Sequence, residues 1–337
     1  MLREARDAPA AVARLIAANG DRCRELGRRL RGSPPAFAVS CARGSSDTAA
    51  TLAKYLLEIR LGVITASVGP SVASVYAASP NMKGALFFTV SQSGRSPDIL
   101  RLAEVARAGG ALTVAFVNDA GSPLAKLCEV VLPLNAWPEK SVAATKSVIA
   151  SLAAVLQFVA HWADDRRLLD ALEQLPEDLP RAAVLDWSAA APLLTSSRSL
   201  FVTARGMGLA VAQEAALKLK ETCGLHGEAL SSAELMHGPM TLVGQDFPVL
   251  MFSQPDETLP SLVDLATMMT ARGVPVVAAG PAAGQRTLPL PFHEGLSPFT
   301  MPIALLQSFY PLAEQIARAR GRDPDAPPHL KKVTETL

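Results

Sequence analysis

"ALFFTVSQSGRSPDIL", Ala85 to Leu100, is the stretch on which the fold turns. Ala85 to Val90 is an almost unbroken apolar run, as in a strand covered on both faces of a parallel sheet. Ser91 to Ser96 are small or polar, Pro97 suits the first turn of a helix, and Ile99 to Ala108 has helical spacing. A buried strand that runs through a hydroxyl-rich loop into a helix is the unit of a doubly wound α/β sheet.

Outward from this stretch the unit repeats. Strands are expected at 35–40, 63–67, 85–90, 111–117 and 129–133, with helices near 46–60, 70–78, 96–109, 122–127 and 143–163. Later in the chain, strands at 199–204, 247–252 and 274–279 alternate with helices at 208–224, 257–271 and 300–320. "FAVSCARGSSDTAATLAKYLLE" from Phe37 resembles "SLFVTARGMGLAVAQEAALKLKE" from Ser199. Arg43-Gly44 and Arg205-Gly206, like Ser91-Gln92 and Ser253-Gln254, stand 162 positions apart. The expectation is two flavodoxin-like, parallel-sheet αβα sandwiches in tandem, 1–180 and 181–337, the first with a short N-terminal helix. "LEQLPEDLPRAAVLDW", Leu172 to Trp187, reads as the linker, and the proline-rich end from Gly321 cannot be regular helix before Leu330.

Composition narrows the partners. The 337 residues allow two cores, 49% are hydrophobic, and 32 basic against 31 acidic side chains leave a net charge of +1. That balance points to neither nucleic acid nor an anionic membrane. Cys23, Cys41, Cys128 and Cys223 form no C-x-x-C pair, so a disulfide framework and a zinc site are both disfavoured. "SVIASLAAVLQFVAHW" from Ser147 reads as a core helix, and the first twenty residues carry no long apolar run. A cytoplasmic location is expected.

In an open α/β sheet ligands collect where strands end and helices begin. At that place Ser91, Gln92, Ser93 and Ser96 offer hydrogen bonds, Gly94 permits close approach, and a helix N-terminus favours an anion such as phosphate. The bland alternative makes Ser96 an N-cap and leaves the other serines to turn the chain. "ARGSSD" repeats the logic with Ser45 and Ser46 opening a helix. "PEKSVAATKS", Pro138 to Ser147, is a third wall, or merely a helix start capped by Ser141. Hydroxyl-rich loops of this kind suit a polyhydroxylated, phosphorylated ligand.

In the second half, Glu214, Lys218 and Glu221 fall at i, i+4 and i+7, which on its own is a surface stripe with a weak Glu-to-Lys pair. "SAELMHGP" delivers His237 after a short helical segment and before a Gly-Pro stop. A histidine to open a sugar ring and a carboxylate to move a proton between C1 and C2 are what aldose–ketose chemistry requires. A lysine nearby can stabilise an enolate or form an imine with a carbonyl.

"SQSGRSPD", "SVAATKS", "EAALKLKE", "ELMHGP" and "LKKVT" resemble, in this order, the isomerase part of glucosamine-6-phosphate synthase, which carries two sugar isomerase (SIS) domains in tandem. The resemblance implies that Ser46, Ser91, Gln92, Ser93 and Ser96 hold the sugar phosphate, with Val142 beside it. It implies Glu221 as the C1–C2 proton shuttle, Lys218 as its neighbour, and His237 for ring opening, supplied by a partner subunit. Lys332 matches the lysine that forms an imine with the open-chain sugar, which would make the tail an ordered lid element.

The departures decide which reaction is expected. In the synthase an N-terminal glutaminase has its catalytic cysteine after the initiator methionine. Here Leu2 follows Met1 and about thirty residues precede the first strand, so glutamine hydrolysis is not expected. Arg95 stands where the synthase has an acid, which resembles the stand-alone double-SIS glucosamine-6-phosphate deaminases. The expectation is a homodimeric deaminase that turns glucosamine 6-phosphate and water into fructose 6-phosphate and ammonia, with no metal or organic cofactor. The alternatives are an isomerase or deglycase of another amino-sugar or fructosamine phosphate, or a sensor that binds without turnover.

Overall fold

The computed structural model describes residues 1–284 and 286–332. In chain order its helices are α1 (Leu2–Arg6), α2 (Ala8–Gly32), α3 (Ser45–Leu61), α4 (Ser71–Ser74), α5 (Pro97–Ala108), α6 (Pro123–Leu127), α7 (Lys146–Ala163), α8 (Arg166–Ala183), α9 (Ala191–Ser196), α10 (Gly208–Cys223), α11 (Ser232–Met236), α12 (Leu259–Ala271) and α13 (Met301–Ala319). The strands are β1 (Phe37–Cys41), β2 (Thr65–Ser67), β3 (Ala85–Ser91), β4 (Leu112–Val117), β5 (Val130–Pro133), β6 (Ser199–Ala204), β7 (His226–Ser231), β8 (Val249–Phe252), β9 (Val276–Ala279) and β10 (Leu288–Leu290). The chain divides into two compact units. One comprises 10–140 and 146–173 with Lys331 and Lys332; the other comprises 1–9, 141–145 and 174–330.

The first unit holds a parallel sheet of order β2-β1-β3-β4-β5. Alternate residues of its strands face opposite layers. Phe87, Ala115 and Val117 pack with Ile99, Leu102 and Ala106 of α5 and with Leu124 of α6. Phe116 points the other way and meets Phe158 of α7 edge-on, with ring centroids 5.8 Å apart. Burying a phenylalanine in this way stabilises the unit by about 1.5–3 kcal/mol. Helix α7 is long and apolar enough to cross a membrane, but 89% of it is buried inside the protein, as expected of a core helix. Helix α2 is far longer than the short N-terminal helix expected. It approaches α7 so closely that a Cβ on Gly27 would lie 2.5 Å from the His161 carbonyl oxygen. From the same helix Arg31 donates to the last carbonyls of α7, those of His161 (2.5 Å) and Trp162 (2.9 Å).

The second unit repeats the pattern with the parallel order β7-β6-β8-β9-β10. One face packs Phe201, Val249 and Met251 against Leu262, Leu265 and Met269 of α12. On the other, Phe252 meets Phe309 of α13 with centroids 6.2 Å apart. With β6 taken as β1's counterpart the two strand orders are the same, which accounts for the offset of 162 between the Arg-Gly and Ser-Gln pairs.

Three further expectations need correction. The segment expected as a linker is mostly helical, since α8 runs to Ala183 with Pro176 and Pro180 inside it. Leu168, Leu172, Leu175, Leu179 and Ala182 are buried at helical spacing, and that apolar stripe outweighs the proline penalty. The helix expected at 70–78 is one turn, α4. Strands β7 and β10 were not expected: β7 carries His226 and Glu228 exposed, β10 carries Pro289, and both lie at the edge of their sheet.

Candidate active site

In the first unit, β1 and β3 are neighbours and pair in parallel with Cys41 opposite Thr89. Their carboxyl ends therefore bring the 42–46 and 92–96 loops side by side. Arg43 ties the loops together: its Nη2 and Nε donate to Asp98 Oδ2 at 2.8 and 3.2 Å. Asp98 has no exposed surface, and its other oxygen accepts from the Ile99 amide at 2.8 Å. Removing the partner of such a buried charge costs about 3–5 kcal/mol.

Within the second loop the Ser91 hydroxyl oxygen accepts from the Gly94 amide at 3.0 Å, and Ser93 accepts more weakly from the Arg95 amide at 3.4 Å. Gly94 has φ +62°, and a Cβ there would stand 2.3 Å from Ser122 Oγ. Its carbonyl accepts from the Leu124 amide at 3.2 Å, so the loop is moored to the start of α6. Arg95 is exposed and pairs with Asp119 at 2.9 Å; this hydrogen bond, helped by the Gly121 amide, holds the Asp119 carboxyl below its ordinary range.

Of the bland alternative, the capping part fails, while Ser91 and Ser93 do turn the chain. Ser96 occupies the N-cap of α5 with extended backbone, yet its hydroxyl makes no capping bond. Gly44, with φ +53°, takes the N-cap of α3 and leaves Ser45 and Ser46 in its first turn. Ser141 lies five residues before α7 begins, buried, its amide donating to Glu4 at 3.1 Å. Gln92, Ser93, Ser96, Ser45 and Ser46 are all half-buried around two helix N-termini, an arrangement suited to an anion.

Lys332 belongs to this same unit. Its Nζ lies 3.3 Å from Glu139 Oε2, and Glu139 is only 6% exposed. The Ser147 hydroxyl donates to the same oxygen at 2.5 Å and the Ser147 amide to Oε1 at 3.2 Å. The tail lysine is thus fastened to the "PEKSVAATKS" stretch, through a glutamate that had not been singled out. The remainder of the expected lid, 333–337, lies outside the described residues.

The second unit holds Val142, Lys218, Glu221 and His237. The surface reading of the α10 stripe is overturned, because the Glu214 and Lys218 side chains have no exposed surface and Glu221 keeps 23%. Lys218 Nζ lies 2.6 Å from Glu221 Oε2 and 3.1 Å from Glu214 Oε1. Burial pulls the lysine pKa down, but attraction to Glu214 and then Glu221 more than offsets it, so the pKa stands above its ordinary value. The result is an enclosed, charged ammonium with a partly open carboxylate beside it, a pair able to shuttle a proton. The Val142 amide donates to the Asp325 carbonyl at 3.4 Å. His237 ends α11, exposed, and among the described residues its imidazole makes no hydrogen bond or ion pair.

A comparison with protein families matches residues 38–161 and 193–279 to the SIS domain. A glutamine–fructose-6-phosphate aminotransferase (isomerizing) of Aeropyrum pernix is 34% identical over 313 residues, which is 86% of this chain and 49% of that protein. The chain thus spans about half the length of the curated relatives it matches. Among solved structures, a Silicibacter pomeroyi DSS-3 protein assigned by inference as a phosphosugar isomerase is 43% identical, covers 96% of this chain and 99% of its own, and superposes with a TM-score of 0.91. The C-terminal domain of glucosamine-fructose-6-phosphate aminotransferase from Francisella tularensis superposes at 0.87 over 97% of this chain and 98% of its own; at 24% identity it speaks for the fold alone.

Proposed function

This chain belongs to the SIS domain family, and on that premise we propose that it is an amino-sugar-phosphate deaminase acting on glucosamine 6-phosphate. The observation that carries the reading is the 2.6 Å pair of a partly open Glu221 with an enclosed Lys218 ammonium. A carboxylate so placed can accept a proton from carbon and return it, while the ammonium offsets the charge that develops on the intermediate.

In the proposed sequence the phosphate rests on Ser46, Ser91, Gln92, Ser93 and Ser96 at the two helix starts, with Ser45 and Val142 at its margin. His237 moves the anomeric hydroxyl proton to the ring oxygen and so opens the ring. Glu221 takes the proton from C2 while a proton of the substrate's ammonium passes to O1, giving an enolamine; Glu221 then delivers its proton to C1, leaving a protonated imine at C2. Water adds to C2, ammonia leaves, and fructose 6-phosphate remains. We propose that the exposed His237 serves the site of a second copy, so that the working form is a homodimer, and that Lys332 is the amine able to form an imine with the open-chain sugar.

A second reading keeps these residues and drops the deamination. It is a plain aldose–ketose isomerisation, or a deglycase reaction, and the Silicibacter relative's assignment favours the former. The deciding experiment measures ammonia and fructose 6-phosphate released from glucosamine 6-phosphate, with galactosamine 6-phosphate in parallel. Equal amounts of both products from the first sugar support the deaminase. Binding without ammonia from either sugar overturns it in favour of an isomerase, a deglycase or a sensor.

A further inference from the structure

The two carboxylates that flank Lys218 are not equivalent. Glu214 is sealed from solvent, while Glu221 keeps 23% of its side chain open, so only Glu221 can meet a ligand without unpacking α10. From this asymmetry we propose that Glu214 is a positioning residue: its enclosed carboxylate clamps the Lys218 ammonium from the buried side and presents it, charged, to Glu221. The inference rests on the reading of Glu221 as the proton shuttle.

The need for such a clamp follows from the reaction. Once Glu221 has taken the substrate's proton it is neutral, and the enclosed ammonium is better tolerated with the Glu214 carboxylate still beside it. Glu214 supplies that charge throughout the cycle, so Lys218 need not lose its proton or move when the shuttle fills. Burial favours the neutral lysine, and attraction to Glu214 and Glu221 outweighs it and keeps the proton in place.

Among the described residues, the neighbouring elements bring these titratable groups toward the trio. Strands β6 and β8, packed against α10, carry no titratable side chain, and β7 carries His226 and Glu228, both exposed. Helix α13 carries the buried Tyr310, and Glu314 paired with Arg318 at 2.7 Å. Arg320 donates to the Cys223 carbonyl at 2.9 Å, and Arg322 approaches Gly224, both past the last residue of the trio. Lys220 of α10 itself is exposed.

The test is an NMR titration of protein carrying 15N-labelled lysine, followed by the pH dependence of kcat. In the wild type, the Lys218 signal should hold its charged shift beyond the ordinary lysine range. In Glu214→Gln it should titrate at least about one pH unit lower, and the alkaline limb of kcat should move down with it, with kcat lowered about tenfold or more. Glu214→Asp keeps the charge and should leave the limb near its original position. The clamp is refuted if Lys218 titrates within or below the ordinary range in the wild type, a measurement that needs no variant to fold. It is refuted equally if Glu214→Gln lowers the denaturation midpoint and moves neither titration. A protein with no turnover of glucosamine 6-phosphate that still shows the Lys218 shift would sink the deaminase reading and leave the clamp standing.

Discussion

Substituting Gly94 by alanine tests whether the geometry of the serine loop matters as described. At φ +62° an alanine costs about 1–2 kcal/mol relative to right-handed backbone. Its Cβ would also stand 2.3 Å from Ser122 Oγ and 2.7 Å from Ser122 Cβ, so Ser122 must shift, and overpacking of this kind costs about 1–3 kcal/mol. The loss is therefore about 2–5 kcal/mol, to be read from the denaturant midpoint. Because the loop would move as Ser122 is pushed aside, KM for the sugar phosphate should rise by up to about a hundredfold. The second half of the cycle is Ser122→Gly. Ser122 caps α6 by accepting from the Ala125 amide at 3.3 Å, and replacing such a cap by glycine costs only a few tenths of a kcal/mol. The double variant should recover the steric share, a coupling of about 1–3 kcal/mol, and keep the backbone share. A double variant that is no more stable than the sum of the singles would refute the collision. A Gly94→Ala protein with unchanged KM would show that the loop does not hold the phosphate.

Glu221→Gln should abolish turnover and leave calorimetric binding of the sugar phosphate within a few-fold; near-normal kcat would rule out its role as the shuttle. Ser93→Ala should act mainly on KM, and Ser96→Ala should raise KM while leaving stability within about 0.5 kcal/mol, since its hydroxyl caps nothing; a larger stability loss would restore the capping role. Borohydride reduction in the presence of substrate should trap a sugar adduct by mass spectrometry, and Lys332→Ala should remove it; a persistent adduct assigns the imine elsewhere. Burial first, and then Arg24 and Arg31, hold the half-buried His161 below its ordinary value of 6.5. The unfolded chain therefore binds this proton first as pH falls, so the stability present above 6.5 is lost as pH drops through the depressed value. His161→Gln should flatten the fall in denaturation midpoint between about pH 7 and pH 5, and an unchanged slope would place the titrating group elsewhere.

The order of strands and helices was legible because the central strands are continuous apolar runs, and periodicity reports that directly. β7 escaped because an edge strand with one wet side, "HGEALS", offers no such run, and α8 escaped because its two prolines spoke louder than its leucine stripe. The serine loop was legible as a hydroxyl-rich strand end, yet what holds it in place was not. Arg43 and Asp98 are 55 residues apart, and nothing local marks Asp98 as the buried partner of that arginine rather than a first-turn acid. The Glu214–Lys218–Glu221 spacing is the same on a wet face and in a core, so only the packing of α10 distinguishes a surface stripe from an enclosed ammonium. Glu139 was likewise invisible, since its value lies in a lysine 193 positions away.

The second sheet carries a quieter version of the serine loop. Gln254, 1% exposed, spends its amide on the Arg205 carbonyl (3.0 Å) and Asp256 (2.8 Å), and Ser253 donates to the Ala279 carbonyl at 3.2 Å while accepting from the Ala282 amide at 2.9 Å. Of their counterparts, Ser91 is buried in the same way and accepts from the Gly94 amide, while Gln92 stays half-buried. A chain that repeats its own architecture has in effect two cups and has corked one with its own residues. The second copy spends its glutamine on its own backbone and Asp256, so its polar atoms hold the scaffold, while Gln92 keeps its side chain half-open. Trimming Asp256 and Thr258, which accept from Gln254 Nε2 at 2.8 and 3.3 Å, would free that amide and give the second sheet a strand end like the first.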